Sequence, residues 1–332
     1  MTTLLADNES ACRWVEQTKN RFSKNLMFGK LVAAVLWTEH AVQDAEPIVP
    51  ADPDVLVAQV NDGDFPLLRG HDPGAPLGKA LAAEVFVDAS GRRFVAGVLG
   101  FYRAEGCPRF AQLGLDPLPA AASPPLLPPL NDSWKLLVAA DPRDVQPEWL
   151  DDVLRDVPFR VGRIELSHNA ADPVSELIRI GLPYLLVVWN PFVTEIAKEG
   201  AKDAYARVSL WFRTFFTRLS ERHNPIVDVQ SYQDGCTVSF LFRGNDVKRN
   251  YAAHDALPMA GAQAAQLIAN MKQRGVVPKT LVYEFEADDN RWFPSYAELL
   301  DGTLVAHQNI LIAIENVPSA LSLGIVRETE QQ

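Results

Sequence analysis

Short apolar runs punctuated by turn-forming clusters dominate the first half of the chain. From Lys30, "KLVAAVLWTEH" is a continuous apolar run, "DVLVAQV" and "FPLLRG" are shorter apolar pieces, and "KALAAEVFVD" and "RRFVAGVLGFY" are two runs joined by the turn "ASGR". Such runs bounded by Gly, Pro, Asn and Asp predict strands, the last two forming a hairpin. Ahead of them "NESACRWVEQTKNRF" predicts a short helix with Asn8 or Ser10 as its N-cap. The proline-dense "LDPLPAAASPPLLPPLNDS" predicts an extended loop, because proline fixes φ and removes a backbone donor. After it come a strand in "WKLLVAAD", a helix in "EWLDDVLRDV" and a strand in "FRVGRIELS".

A second pattern starts near Pro183. "YLLVVWN" reads as a buried strand, and Asn190 and Pro191 suit the cap and first turn of a long helix ending near His223. Ile196, Tyr205, Val208, Phe212, Phe215 and Leu219 then share one apolar face. "PIVDVQSY" and "CTVSFLFRG" flank Asp234-Gly235, a hairpin signal. A second helix is expected from about Leu257 to Arg274, stopped by Gly275 and capped by Asp255. "KTLVYEFEA", a further hairpin, "GTLVAHQ" and "NILIAIEN" complete the chain as strands. The fold class predicted is α+β: a β-rich first domain over 1–182, then an α+β sandwich over 183–332 with two helices on one face of an antiparallel sheet.

Composition narrows the partners. A length of 332 residues with 48% hydrophobic content is enough for two cores, and the formal net charge of −11 argues against a nucleic-acid backbone as ligand. No apolar run approaches the roughly 18 residues that span a bilayer. The N-terminus carries acids instead of a basic region followed by an apolar core, so no membrane association and a cytoplasmic location are expected. Three cysteines, Cys12, Cys107 and Cys236, are odd in number and lack CxxC spacing, which points to reduced thiols and no zinc site. Asn61 to Asp64 lacks the downstream glutamate of a calcium loop and reads as a turn. With no GxGxxG, Walker A, HExxH or GxSxG sequence, no cofactor or metal is expected.

The candidate chemistry lies in "FPLLRGHDPGAPLGKALAAEVF", where His71 and Asp72 stand between an apolar strand and a Pro/Gly turn leading into another strand. A serine nucleophile needs such a held base and a group to orient it. An apolar strand, His-Asp, a few turn residues, Pro-Leu-Gly and a second strand resemble the prohead (capsid maturation) proteases of tailed phages, over at most residues 30–180. That resemblance implies a β-barrel of the type shared with herpesvirus assemblins, with His71 as general base. It further implies Ser133 of "NDSWKLLVAAD" as nucleophile and Glu165 of "IELSHNAADP" as third member. Ser133 departs from the family pattern in the residues that follow it and in its position after a Pro-rich loop.

Each residue also has an ordinary structural reading. His71 before Asp-Pro-Gly suits a turn, Asp132-Ser133 ahead of a strand suits local turn chemistry, and Glu165 alternating with Ile164 and Leu166 suits a solvent face. Two functions follow. One is a serine endopeptidase-like protein acting on a protein substrate by acyl transfer. The other is a non-catalytic protein-binding or assembly module, a pseudoprotease of a phage or of a bacterial phage-defence system. "RWFPSYAELLDG", with Trp292, Phe293 and Tyr296 clustered beside Pro294, is a candidate protein contact.

Overall fold

Polar caps decide where the first helices begin. The computed structural model describes residues 3–39, 52–62, 65–69, 72–120, 135–158, 160–168, 176–183, 187, 201–307 and 322–327. After a single turn, α1 (Thr3–Ala6), the Asn8 side chain accepts from the Ala11 N–H and opens α2 (Glu9–Phe22). Asp52 accepts from the N–H groups of Asp54 and Val55 ahead of Pro53, and "DVLVAQV" becomes α3 (Pro53–Asn61) instead of the expected strand. The cap and the one-turn spacing of buried Leu56 and Val60 outweigh the β propensity of its valines.

The other early runs form strands: β1 (Phe28–Thr38), β2 (Pro66–Leu68), β3 (Pro76–Val87) and β4 (Arg93–Tyr102). They pair antiparallel in the order β1-β4-β3-β2. One face, with Leu99 and Phe101, packs on α3 through Leu56 and Val60. The other, with Phe94, Ala96 and Val98, packs on α2 through Ala11 and Val15.

The second sheet is built from helix-linked pairs. β5 (Lys135–Ala140), α4 (Pro147–Leu154) and β6 (Arg160–His168) form one unit, with β5 parallel to β6. β7 (Glu176–Pro183) runs parallel to β8 (Pro225–Gln233) across α5 (Ala201–Leu219). β9 (Cys236–Arg243) runs parallel to β10 (Pro278–Glu286) across α6 (Val247–Gln273). β11 (Arg291–Leu299) and β12 (Leu304–Ala306) follow antiparallel. The strand order is β6-β5-β7-β8-β9-β10-β11-β12. β13 (Ser322–Arg327) pairs with both β2 and β6 and so joins the two sheets.

The protein is thus a mixed α and β fold, and it differs from the sequence expectation in three respects. The second sheet is mixed, because each parallel pair needs a crossover and a helix supplies it. Three helices, α4, α5 and α6, cover one face, where Phe215, Phe216, Phe240, Phe242, Tyr283 and Trp292 share a core. The boundary expected at 182/183 falls inside this sheet, since β7 hydrogen-bonds β8 along its length.

Local chemistry explains the remaining boundaries. Asp234 and Gly235 both take positive φ, 45° and 80°, the requirement of a two-residue hairpin turn, and β8 and β9 pair as expected. The second long helix starts ten residues earlier than Leu257, at Val247, because Asp246 accepts from the N–H groups of Lys248 and Arg249. Asp255 therefore lies inside α6, paired with Arg213 at 2.6 Å, and Pro258 is a mid-helix residue. Trp292 is core and not a contact surface, its indole N–H donating to Ala253 O at 2.8 Å. The long-helix start at Asn190 and the strands "YLLVVWN" and "NILIAIEN" lie outside the described residues, apart from Val187.

Among the described residues no helix is long and apolar enough to cross a membrane. Replacing Asp246 by Ala removes the cap of α6. Urea unfolding is expected to show a loss of about 1 kcal/mol, and an unchanged midpoint would show that α6 starts without it.

Candidate functional site at the junction of the sheets

Alternation along the strands gives the second sheet two unlike faces. Residues of one parity enter the helical core. The other parity, including Leu177, Ile226, Leu241, Val282 and Tyr296, faces the first sheet and packs with Met27, Tyr102 and Cys107. Charged residues of the same parity are drawn into this layer, where they must find partners.

Arg243, the last residue of β9, makes the densest set of such bonds. Its Nη1 and Nη2 donate to Asp72 Oδ2 and Oδ1 at 2.7 and 2.9 Å, and its Nε and Nη2 donate to Glu284 Oε2 and Oε1 at 2.7 and 2.6 Å. One planar guanidinium thus holds a carboxylate from each side of the junction. Burial draws the Arg243 pKa down, and the hydrogen bonds it donates to Glu284 and Asp72 more than reverse this, so it stays charged. Glu284 is pushed above the ordinary carboxylate range by burial, against the pull of Arg243.

Asp72 is equally bound to its own turn. Its N–H donates to Arg69 O, its carbonyl accepts from the Ala75 N–H, and its Oδ1 accepts from the Gly74 N–H at 2.8 Å. The buried Tyr296 hydroxyl donates to Pro73 O at 2.7 Å. A Cβ at position 74 would overlap Glu284 Oε1 and Arg243 Nη2, so only glycine lets the turn lie this close to the ion pair. Lys79 of β3 adds a bond to Gly302 O at 3.2 Å and an ion pair with Glu298 at 3.5 Å.

A second polar group lies on the same face. Asp228 of β8 is fully buried, and its Oδ2 accepts from Arg179 Nε at 3.0 Å and from Gln230 Nε2 at 2.7 Å, while Oδ1 has no hydrogen-bond partner among the described residues.

Of the residues assigned from the sequence, His71 and Ser133 lie outside the described residues. Glu165 is exposed on β6, flanked by Ile164 and Leu166, which point into the junction layer. Its side chain therefore leaves the opposite face, the one on which Arg163 pairs with Asp151 of α4. β6 is separated from β9, where the turn after His71 docks, by β5, β7 and β8. Through β13, β6 lies two strands from β2, the strand that leads to the turn, so it is the face from which Glu165 leaves that separates it from the docked turn.

Arg243, Glu284 and Asp228 went unremarked in the sequence reading. Their one signal was a charge at the parity of Leu241, Val282 and Ile226, and a charged residue alternating along a strand ordinarily marks a solvent face.

Other reactive groups are muted. Burial pushes the Cys107 thiol up to about 11 and the Cys236 thiol up to about 12. Burial also pushes His254 down to about 4 in spite of Asp255, whose Oδ1 lies 3.6 Å from its Nδ1, and the ring sits against Phe212 and Phe216. Among the described residues no group of three or more His, Cys, Asp or Glu is placed to hold a metal ion. Comparison with protein-family models, curated proteins and solved structures finds no match.

Two predictions test this electrostatic picture. The raised pKa of Glu284 means that the folded state holds that proton more tightly than the unfolded chain does. Its ionisation therefore costs stability as pH rises through the raised value. Glu284→Gln removes the titration, so its stability relative to the native protein should grow as pH rises above the ordinary carboxylate value; urea unfolding at a series of pH values giving a constant difference would contradict this. Iodoacetamide at about pH 8 should modify Cys12 alone in the folded protein, since the other two thiols are buried and protonated. Mass spectrometry finding rapid modification of Cys107 or Cys236 would contradict it.

Proposed function

We propose that this chain is a non-catalytic protein-binding module whose first sheet is clamped onto a helix-covered second sheet. The observation that carries the reading is the placement of Glu165 relative to the turn that follows His71. A group that orients a catalytic imidazole has to reach it by hydrogen bond. Glu165 leaves the face of β6 opposite to the junction layer in which Asp72 is held, on the side where Arg163 pairs with Asp151.

Asp72, the residue next to His71, supports the same reading. Both its carboxylate oxygens are engaged by Arg243, and its backbone closes the turn. The "HDPG" turn then serves as a docking element, with a chemistry of ion pairing and close backbone approach. The framing of His71 that resembles prohead proteases is, on this reading, the framing of a joint.

A protease assay separates this from acyl transfer. The native protein, Ser133→Ala and His71→Ala are incubated with fluorescein-labelled casein, and each chain is checked for self-cleavage by intact mass. The binding reading predicts the same background for all three. Turnover that disappears in both variants would replace it with a prohead-type protease using His71 and Ser133.

A further inference from the structure

The helical face carries a cleft that the junction does not use. It lies between α4 and α5, has a volume of about 380 Å³, and is lined by Asp152, Arg155, Asp156, Arg207, Leu210 and Arg218, with Trp211, Thr214 and Phe215 beneath. Its size is that of a pocket which accepts a few side chains. The inner wall is rigid: Trp211 and Phe215 are buried, and the Trp211 indole N–H donates to Val153 O at 2.8 Å, fixing α5 against α4.

Two features of α5 point outward into the cleft. Leu210 is 65% exposed, although Val208, Trp211, Phe212, Phe215 and Phe216 around it are all buried. Arg207, one turn before Leu210, is exposed and has no ion-pair partner among the described residues. An exposed apolar side chain and a guanidinium with no ion-pair partner among the described residues therefore stand side by side, one helical turn apart.

The charge of the lining selects the ligand. Three arginines face two aspartates, a net charge of +1 on a chain whose formal charge is −11. Asp152 is shared between Arg155 at 2.8 Å and Arg218 at 3.1 Å, and Arg218 also reaches Glu221 at 3.6 Å. Among the described residues Arg207 is thus the lining arginine with the fewest competing carboxylates. Asp156 works against a polyanion, because a second acid beside the first would meet a like charge.

We infer that this cleft binds a short segment of a partner protein that carries a single carboxylate, this side chain on Arg207 and a neighbouring apolar side chain on Leu210 above Trp211. The inference rests on the binding-module reading and names its partner class and site. The carboxylate gains a bidentate, charge-assisted pair, and the apolar neighbour covers surface that Leu210 now exposes.

The test uses fluorescein-labelled ten-residue peptides and fluorescence anisotropy with the full chain. One set carries a single Glu beside Leu, a second has Lys in place of Glu, a third has a run of Glu, and indole-3-acetate serves as an unlabelled small-molecule competitor. The expected result is binding of the Glu-Leu set, at least tenfold weaker binding of the Lys and poly-Glu sets, and at least tenfold loss on Arg207→Glu and on Leu210→Asp. Both positions are exposed, so thermal unfolding of these variants should match the native protein and separate lost binding from lost folding. Binding indifferent to both substitutions, equal binding of the Lys set, or binding of indole-3-acetate alone would overturn the inference. Absence of peptide binding in a protein without Ser133-dependent proteolysis removes this cleft assignment only, whereas Ser133-dependent proteolysis removes the binding-module reading itself.

Discussion

The densest set of polar bonds between the two sheets centres on the Arg243 guanidinium, beside the β13 pairing, the Lys79 contacts and the apolar layer that also join them. Its four charge-assisted hydrogen bonds reach Asp72 of the first sheet's turn and Glu284 of the adjacent strand in the second sheet. A partly buried guanidinium would be costly alone, as would either carboxylate, so the three residues are stable in this layer only together. Gly74 makes the geometry possible by admitting the turn to the surface of the pair, and Tyr296 seals the next peptide. Apolar packing of Met27, Tyr102, Leu241 and Val282 around the group gives area and exclusion of water, while the ion pairs give register.

The rest of the second sheet follows from a division of labour between its faces. Aromatic residues of α5 and of β9 to β11 fill the helical side, with Phe216 stacked on Phe242 at 4.7 Å and Phe240 edge-on to Trp292 at 5.5 Å. The crossover helices that make the parallel pairs also provide the α4/α5 cleft. Among the described residues the second sheet consequently has one face given to internal docking and another whose helices enclose a pocket. A partner held at that pocket would leave the junction untouched.

Local elements were legible in the sequence where their signals were self-contained. The β3/β4 hairpin, the β8/β9 hairpin at Asp234-Gly235, the Asn8 cap and the apolar stripe of α5 over Val208, Phe212, Phe215 and Leu219 are all present. Misreadings arose where a short signal had two meanings. Asp52-Pro53 outweighed a valine-rich run and made α3, and Asp255 with Pro258 imitated a helix start inside α6. Strand pairing was not legible, because whether neighbours run parallel depends on the helix between them and not on either strand. The junction was least visible of all. Asp72 lies 171 residues from Arg243, and nothing in either neighbourhood signals the other.

The central claim is that Asp72 and Arg243 act as one unit across the junction. A double-mutant cycle with Asp72→Ala, Arg243→Ala and the pair, each followed by urea unfolding, tests it most directly. The account predicts a coupling energy above about 1 kcal/mol, because each single change strands the other charge in a partly buried layer. Additivity within about 0.3 kcal/mol would contradict it and leave the sheets held by the β13 pairing, the Lys79 contacts and apolar packing.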